Sequence, residues 1–280
     1  MKVFISVDLE GITGVFNMPQ TDCDGNFEWV AAVAQMQGDV NAVIEGCDDA
    51  GADEIVICDA HYKSNNLDID ALPAHASIVR GKPMELFMMQ GIDDSFDAAL
   101  FVGYHARQGT DNAVLCHSYT ELATSVTVLS PDGGAPYVTG EIGMNGAVAG
   151  WFGVPVAFVS GDTATVAEAR DLLPKVRTVS TKEGLGRHRA RLFSPKATRP
   201  ALRAGAAEAL KAPDRPSPLD WNGHALRVSY ADTRICDLAA ACPATTRVDA
   251  LTIEISAPDY LSVFRTFLAA SLLAESDQQN

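Results

Sequence analysis

Short apolar runs alternate along the chain with longer stretches of helical periodicity. The run from Val3 to Val7 is rich in β-branched residues, and Glu54 to Cys58 and Ala98 to Val102 are similar. Between the first two runs, Phe27 to Ala50 places its apolar residues on one side of a helix, and Gly51 follows as a helix C-cap. This alternation predicts βα units built around a largely parallel sheet.

The second half of the chain adds a hairpin and a C-terminal segment. Thr124 to Leu129 and Tyr137 to Thr139 flank a Pro-Asp-Gly-Gly turn, which is typical of a β-hairpin. Further strands are predicted at 77–79, 113–116, 154–159, 176–180, 226–230 and 250–255, and further helices at 141–151, 163–173, 201–211 and 259–274. Residues 182–200 are predicted only as a basic and polar stretch. We therefore expect an α/β fold of three layers (α/β/α). Residues 1–212 would form its metal-binding catalytic region, and residues 213–280 an α+β layer packed on the same domain.

Charge and composition narrow the choice of partners. The chain has 280 residues, a formal net charge of −15 and an isoelectric point near 4.7, which argues against nucleic acid or an anionic membrane as a partner. Its apolar runs stay well short of the roughly 20 residues that span a bilayer, and no secretory signal opens it, so we expect a cytoplasmic protein. The six cysteines form no Cys-x-x-Cys pair, as is typical of reduced thiols.

Carboxylate and imidazole side chains follow three of the predicted strands. Asp8 and Glu10 come after the first run, spaced so that both lie on the same side of an extended segment. Asp59 and His61 follow the second run, and His105 follows the third. Open parallel sheets bind ligands outside the carboxyl ends of their strands. We therefore expect these side chains to lie together at one edge of the sheet.

The same residues are suited to a divalent metal. Two carboxylates held close together repel each other unless a positive charge lies between them. Glu141, which begins a predicted helix, completes the set of predicted ligands: Asp8, Glu10, His61, His105 and Glu141. Two imidazoles and three carboxylates suit Zn²⁺, with Mn²⁺ and Co²⁺ as competitors. The set suffices for two metals if one carboxylate bridges them.

Each of these residues also has an interpretation without a metal. Acids at strand ends commonly cap the next helix, and a histidine there is more often simply hydrogen-bonded than a ligand. Asp59 is expected to bind a metal or to accept a hydrogen bond from His61. His75 is expected in a loop, and His188 and His224 are expected at the surface. Cys58 and Cys116 lie inside apolar runs and are expected in the core.

The motifs resemble, in order and spacing, those of the D-aminopeptidase family of di-zinc metallopeptidases, whose type member was first catalogued as a dipeptide transport protein. The resemblance covers nearly the whole chain. It is carried by the stretches Ser-Val-Asp-Leu-Glu-Gly at 6–11, Asp-Ala-His at 59–61, Gly-Tyr-His-Ala at 103–106, His-Ser at 117–118 and Gly-Glu-Ile-Gly-Met-Asn at 140–145.

The resemblance implies two zinc ions per chain on the five predicted ligands, with Asp8 as the bridge, and a catalytic role for His117. The implied reaction is hydrolysis of the N-terminal peptide bond of short peptides, with D-amino acids such as D-alanine, by a hydroxide that the zinc pair activates. Such a hydroxide is already a strong nucleophile. We therefore favour His117 as a proton shuttle or an oxyanion donor. Asp59 and Glu121 are candidates to bind the substrate amine. The family also forms ring-shaped homo-oligomers, which implies the same assembly here.

Other functions are compatible with the same residues. A metal-dependent amidase would differ only in its substrate class. A metal-dependent phosphoesterase would need cationic groups around the phosphate, and Lys63, Arg80 and Arg107 lie near the motifs in sequence. A peptide-binding transport component would be expected to carry a signal peptide or lipid anchor, a pattern that the first residues do not have.

Overall fold

The computed structural model describes residues 1–23, 25–82 and 84–276. Residues 277–280, which end the predicted C-terminal segment, lie outside the described residues, and so does Asp24 in the loop predicted after the first strand. The strands are β1 (Lys2–Val7), β2 (Glu54–Asp59), β3 (Ala76–Val79), β4 (Ala98–Val102), β5 (Ala123–Leu129), β6 (Tyr137–Thr139), β7 (Val156–Asp162), β8 (Arg177–Gly186), β9 (Arg189–Leu192), β10 (Ala225–Tyr230), β11 (Thr245–Arg247) and β12 (Thr252–Ile255). The helices are α1 (Phe27–Asp49), α2 (Glu141–Trp151), α3 (Thr163–Leu172), α4 (Pro195–Lys211), α5 (Thr233–Ala240) and α6 (Tyr260–Glu275).

A seven-stranded sheet forms the centre of the fold, in the order β3-β2-β1-β4-β7-β8-β9. Its strand pairs are parallel except for β8 and β9. The chain proceeds outward in one direction from β1 to β3 and in the other from β4 to β8, so the strand order reverses between β1 and β4. In open α/β sheets this reversal opens a ligand crevice at the carboxyl ends of the two strands.

Helices cover both faces of this main sheet. One apolar cluster joins α1 and α4 to one face, and another joins α2 and α3 to the opposite face. The sequence of β1 is an almost continuous apolar run because nearly all of its residues are buried between the two helical layers. The predicted three-layer α/β/α arrangement is confirmed.

The predicted hairpin and the C-terminal strands form one antiparallel sheet of five strands, in the order β11-β12-β10-β5-β6. Strand β10 pairs with β5 on one side and β12 on the other, so residues 123–139 and the C-terminal segment share hydrogen bonds. Helix α6 packs on this second sheet and against α2. Pairing between segments about a hundred residues apart has no local signal in the sequence.

Several local predictions were wrong. The apolar run at 113–116 forms a buried turn and no strand. The stretch from 182, predicted only as basic and polar, contains the β8–β9 hairpin and the first turns of α4. Helix α5 and strand β11 were not predicted, although Asp232 caps α5 with its side chain, which is a readable start signal.

Two glycines allow the ends of β1 and β4 to approach each other. Gly103 adopts a left-handed conformation with φ of +72°, and a Cβ on it would lie 2.3 Å from the carbonyl oxygen of Asp8. A Cβ on Gly11 would lie 2.0 Å from the carbonyl oxygen of Tyr104. The Gly11 amide donates a 2.7 Å hydrogen bond to the Gly103 carbonyl, which fixes this approach.

We expect Gly103→Ala to lower the free energy of unfolding by about 3 kcal/mol, because it adds a backbone clash to the left-handed strain. Gly109→Ala is the matched control, since Gly109 has φ of +82° and open space where its Cβ would lie. The free energy of unfolding of the control should fall only by the cost of the left-handed strain, about 1 kcal/mol. Denaturant unfolding of both variants measures the difference. Equal losses would show that the strand ends can separate without cost.

Among the described residues, no helix combines the length and the apolar character needed to cross a bilayer.

Candidate active site

The structure brings all five predicted ligands together at the carboxyl edge of the main sheet. Asp8 and Glu10 follow β1, His61 follows β2, His105 follows β4, and Glu141 is the first residue of α2. Each of the five is at least 93% buried. Strand order alone explains the convergence of the first four, because β2, β1 and β4 are neighbours. Glu141 reaches the site because α2 begins beside this edge.

Asp8 lies between the two imidazoles. Its Oδ1 is 3.1 Å from Nδ1 of His61, and its Oδ2 is 3.5 Å from Nε2 of His105. Glu10 Oε2 lies 3.2 Å from the same His61 nitrogen, and Glu141 Oε1 lies 3.2 Å from the same His105 nitrogen. The site therefore has two halves, one around each imidazole, and the two oxygens of Asp8 face different halves.

Backbone carbonyls fix the tautomers of both histidines. Nε2 of His61 is 2.8 Å from the carbonyl oxygen of Thr21, and Nδ1 of His105 is 3.0 Å from that of Ala106. A carbonyl oxygen only accepts, so each of these nitrogens is the N–H donor. In the neutral rings, the lone pairs therefore lie on Nδ1 of His61 and Nε2 of His105, which are the atoms that face the carboxylates.

This arrangement fits a metal ion. A lone pair held against carboxylate oxygens is favourable only if a proton or another cation lies between them. Two of the facing atoms, Nε2 of His105 and Oε2 of Glu10, are buried without a hydrogen-bond partner among the described residues. Ligand atoms of Asp8, Glu10 and His105 lie within 4.8 Å of one another, close enough to hold one ion. Nitrogen and carboxylate donors of this kind suit Zn²⁺.

The pKa values show how strongly the groups in this cluster interact. Burial, together with the charge of Glu10, raises the pKa of Asp8 to about 7. Burial acts in the same direction on Glu10, but the hydrogen bond from His61 and the positive charges of His61, His105 and His117 together outweigh it and hold the pKa of Glu10 well below its ordinary value. Burial lowers the pKa of His61, but the charge of Glu10 and the hydrogen bonds to Asp8 and Glu10 together outweigh burial and raise this pKa well above its usual range. A metal would take over the positive charge that protons otherwise supply.

His117 approaches the same cluster from a loop. Its ring stacks on His105 with centroids 4.0 Å apart, and its Nε2 lies 3.7 Å from Oε1 of Glu141. Nδ1 donates to the carbonyl oxygen of Leu115 at 2.8 Å, so Nε2 carries the lone pair of the neutral ring. Burial and the charge of His105 lower the pKa of His117. His117 is also close enough to Glu141 and His105 to share a metal with them.

Two side chains of β8 hold the loop after β1 in place, and neither was identified from the sequence. Lys182 is fully buried, and its Nζ donates to the carbonyl oxygens of Glu10 at 2.6 Å and Ile12 at 2.7 Å. Thr181 donates to the carbonyl oxygen of Gly11 at 2.6 Å. Burial lowers the pKa of Lys182 to about 7. Sequence patterns assigned Lys182 to a polar stretch, and only its burial identifies it.

Asp59 does not orient His61, contrary to one of the sequence interpretations. Its two carboxylate oxygens accept hydrogen bonds from the backbone amides of Asn66 and Leu67 and from the Asn66 side chain, at 2.6 to 2.9 Å. Asn66 in turn donates to the carbonyl oxygen of His61. Asp59 therefore shapes the loop that carries His61, and its oxygens are not available to a substrate amine.

A cavity of 830 Å³ opens beside the cluster. Four of the five predicted ligands and His117 line it, and its apolar wall includes Met84, Phe87, Leu115, Leu122 and Leu268. Glu121 also lines the cavity and forms an ion pair with Arg187. The cations considered for a phosphate site, Lys63, Arg80 and Arg107, are not among the described lining residues.

Buried carboxylates and imidazoles beside a cavity, at the edge where strand order reverses, define the site of a metal-dependent hydrolase. The sequence model of the family described as D-aminopeptidase matches residues 1–269. The chain is 31% identical over 276 residues to the D-aminopeptidase of Bacillus subtilis (strain 168), covering 98% of both chains. It superposes with a TM-score of 0.91 on the solved structure of the Zn-dependent D-aminopeptidase DppA from Bacillus subtilis, described as a self-compartmentalizing protease, at 31% identity over 99% of this chain and 98% of that one. The protein therefore belongs to the D-aminopeptidase family and is a peptidase.

Proposed function

We propose that this protein is a zinc-dependent D-aminopeptidase that removes the N-terminal residue of short peptides, with D-amino acids such as D-alanine preferred. We also propose that Asp8, Glu10, His61, His105 and Glu141 hold two zinc ions per chain. The observation that carries the proposal is the position of Asp8, whose two oxygens face the lone-pair nitrogens of two different histidines. One carboxylate shared between two nitrogen ligands is the arrangement that a bridged metal pair requires.

The zinc ions, when bound, would polarise the scissile carbonyl and lower the pKa of a bound water. The chain's own residues supply the rest of the chemistry. Nε2 of His117 carries a lone pair at the cavity wall, positioned to take a proton and to return it to the departing amine. The Leu115 carbonyl keeps the ring in that tautomer. Phe87 and Leu122 belong to the apolar part of the same cavity wall.

The proposal extends to assembly and location. The similar solved structure is described as that of a self-compartmentalizing protease, and we propose that this chain forms a homo-oligomer, with a ring as its arrangement. Such an assembly would admit short peptides and exclude folded proteins. Glu121 is the carboxylate we assign to the substrate amine, since it lines the cavity with an exposed side chain that the amine would share with Arg187, whereas Asp59 is buried and committed to its loop. The cytoplasmic location stays a prediction of the sequence.

Metal removal and restoration test the function. We expect the purified protein to contain about two zinc ions per chain by plasma mass spectrometry and to release D-alanine from D-Ala-D-Ala. Dialysis against a chelator should abolish both the metal and the activity, and added Zn²⁺ should restore them. Mn²⁺ and Co²⁺ in parallel would identify the metal that gives the highest rate.

The substrate panel separates the alternatives. L-Ala-L-Ala tests chirality, an amino-acid anilide tests general amide hydrolysis, and an aryl phosphate tests phosphoesterase activity, all with the same metal-loaded protein. Metal binding with activity only on the phosphate ester would overturn the peptidase assignment. Failure to bind zinc, whether as purified or after its addition, would overturn the metal mechanism.

A further inference from the structure

The described wall of the cavity includes one lysine, Lys82. Among the described lining residues, Lys82 is the only lysine or arginine. The other charged lining residues outside the proposed ligands and His117 are acids, Asp22, Glu121 and Glu275. Away from the proposed metal ligands, an anionic group that enters this cavity is therefore repelled by these acids and attracted by Lys82.

Aromatic rings support the Lys82 ammonium. Its Nζ lies 4.1 Å from the ring centroid of Phe87 and 5.9 Å from that of Tyr62. No ion pair within 4.0 Å joins it to a carboxylate of the described residues. A ring face attracts an ammonium but carries no net charge. The contact therefore orients Lys82 and leaves its charge available to a ligand.

The surroundings of Lys82 favour an anionic partner. Burial of the ammonium lowers the pKa of Lys82, against the opposing effect of the Glu275 charge. A partly desolvated ammonium without a carboxylate in ion-pair contact gains more from a charged hydrogen bond than one in bulk water. Lys82 remains an exposed residue of the cavity wall, so a ligand inside the cavity can reach it.

We propose that Lys82 binds the C-terminal carboxylate of the peptide substrate. The inference rests on the proposed aminopeptidase function, which places the amine end of the peptide at the acidic, metal-binding end of the cavity. A short peptide with both termini free has an anionic group to satisfy at its other end, and Lys82 is the described group on the wall that matches it. The enzyme is then selective for short peptides that have a free carboxyl terminus.

Paired substrates test this assignment. We expect the ratio of kcat/KM for D-Ala-D-Ala to that for D-alanyl-D-alaninamide to fall about 10- to 100-fold in Lys82→Met, the equivalent of losing one charged hydrogen bond. Most of the change should be in KM for the free acid, because the carboxylate is remote from the reacting bond. Lys82→Arg should retain most of the preference, since it keeps the charge.

Lys63→Met is the matched control. The Lys63 ammonium lies 5.4 Å from the same Tyr62 ring, but Lys63 is not among the described lining residues. Its substitution should leave the ratio as in the wild type. An unchanged ratio in Lys82→Met, with both peptides hydrolysed, would overturn the role of Lys82 alone. If the wild type hydrolyses neither peptide, the aminopeptidase function fails and the Lys82 assignment fails with it.

Discussion

Replacing Asp8 by asparagine is expected to remove most of the zinc and to reduce D-alanine release to background, a loss of at least about 10³-fold. Asparagine has the shape of aspartate but no charge and one acceptor oxygen, so it cannot face both His61 and His105 as Asp8 does. Plasma mass spectrometry gives the zinc content, and peptide hydrolysis gives the activity of the same sample.

Loss of folding is not the expected cause of this effect. Asp8 is buried beside Glu10, where its charge is unfavourable without a cation, so a neutral side chain should be tolerated by the zinc-free fold. Circular dichroism and thermal unfolding of the zinc-free proteins check this point. Asp22→Asn makes the same substitution at another acid of the cavity wall and should keep its zinc. Full zinc content in Asp8→Asn would contradict the ligand assignment.

His117→Ala is expected to lower kcat by about 10²- to 10⁴-fold while the protein keeps about two zinc ions per chain. The reason is that Nε2 of His117 carries a lone pair at the cavity wall and is not one of the proposed zinc ligands. The Leu115 carbonyl and stacking on His105 hold the ring in place. Single-turnover hydrolysis of D-Ala-D-Ala separates this chemical step from substrate binding.

The zinc content of the same variant decides between two roles. His117 lies near enough to His105 and Glu141 to be a ligand itself. A fall to about one zinc per chain would show that His117 binds metal, whereas a full zinc content with low kcat supports proton transfer. His188→Ala is the control, since His188 is an exposed histidine outside the cavity wall. It should match the wild type in both measurements.

The sequence was most informative where structure is local. Hydrophobic periodicity located β1, β2, β4 and α1 within a residue or two, because a buried strand or an amphipathic helix needs its pattern within its own length. The short helix α5 was missed although it is amphipathic, since its eight residues make little more than two turns. The continuation of β8 beyond the apolar run was missed because several of its residues are polar or glycine although they are buried, Thr181, Lys182 and Gly184 among them.

The residues of the candidate site were likewise predictable from local pattern only where they follow a strand. Asp8, Glu10, His61 and His105 were found because each follows a strand, and parallel neighbouring strands end at one edge of a sheet. His117 follows no strand, and only its resemblance to a known family pointed to it before the structure placed its ring on that of His105. Lys82 gave no signal, because nothing local distinguishes it from any other loop lysine.

By itself, the sequence determined the succession of most strands and helices along the chain, the parallel character of the main sheet and the strand-end residues that meet at its edge. These follow from side-chain periodicity and chain direction, which neighbouring residues encode. Only the tertiary structure decided that β5 pairs with β10, that Lys182 is buried beneath the loop of Glu10, and that Lys82 faces the cavity. Those contacts join segments far apart in the chain, and their partners are selected by packing of the whole core rather than by any local pattern.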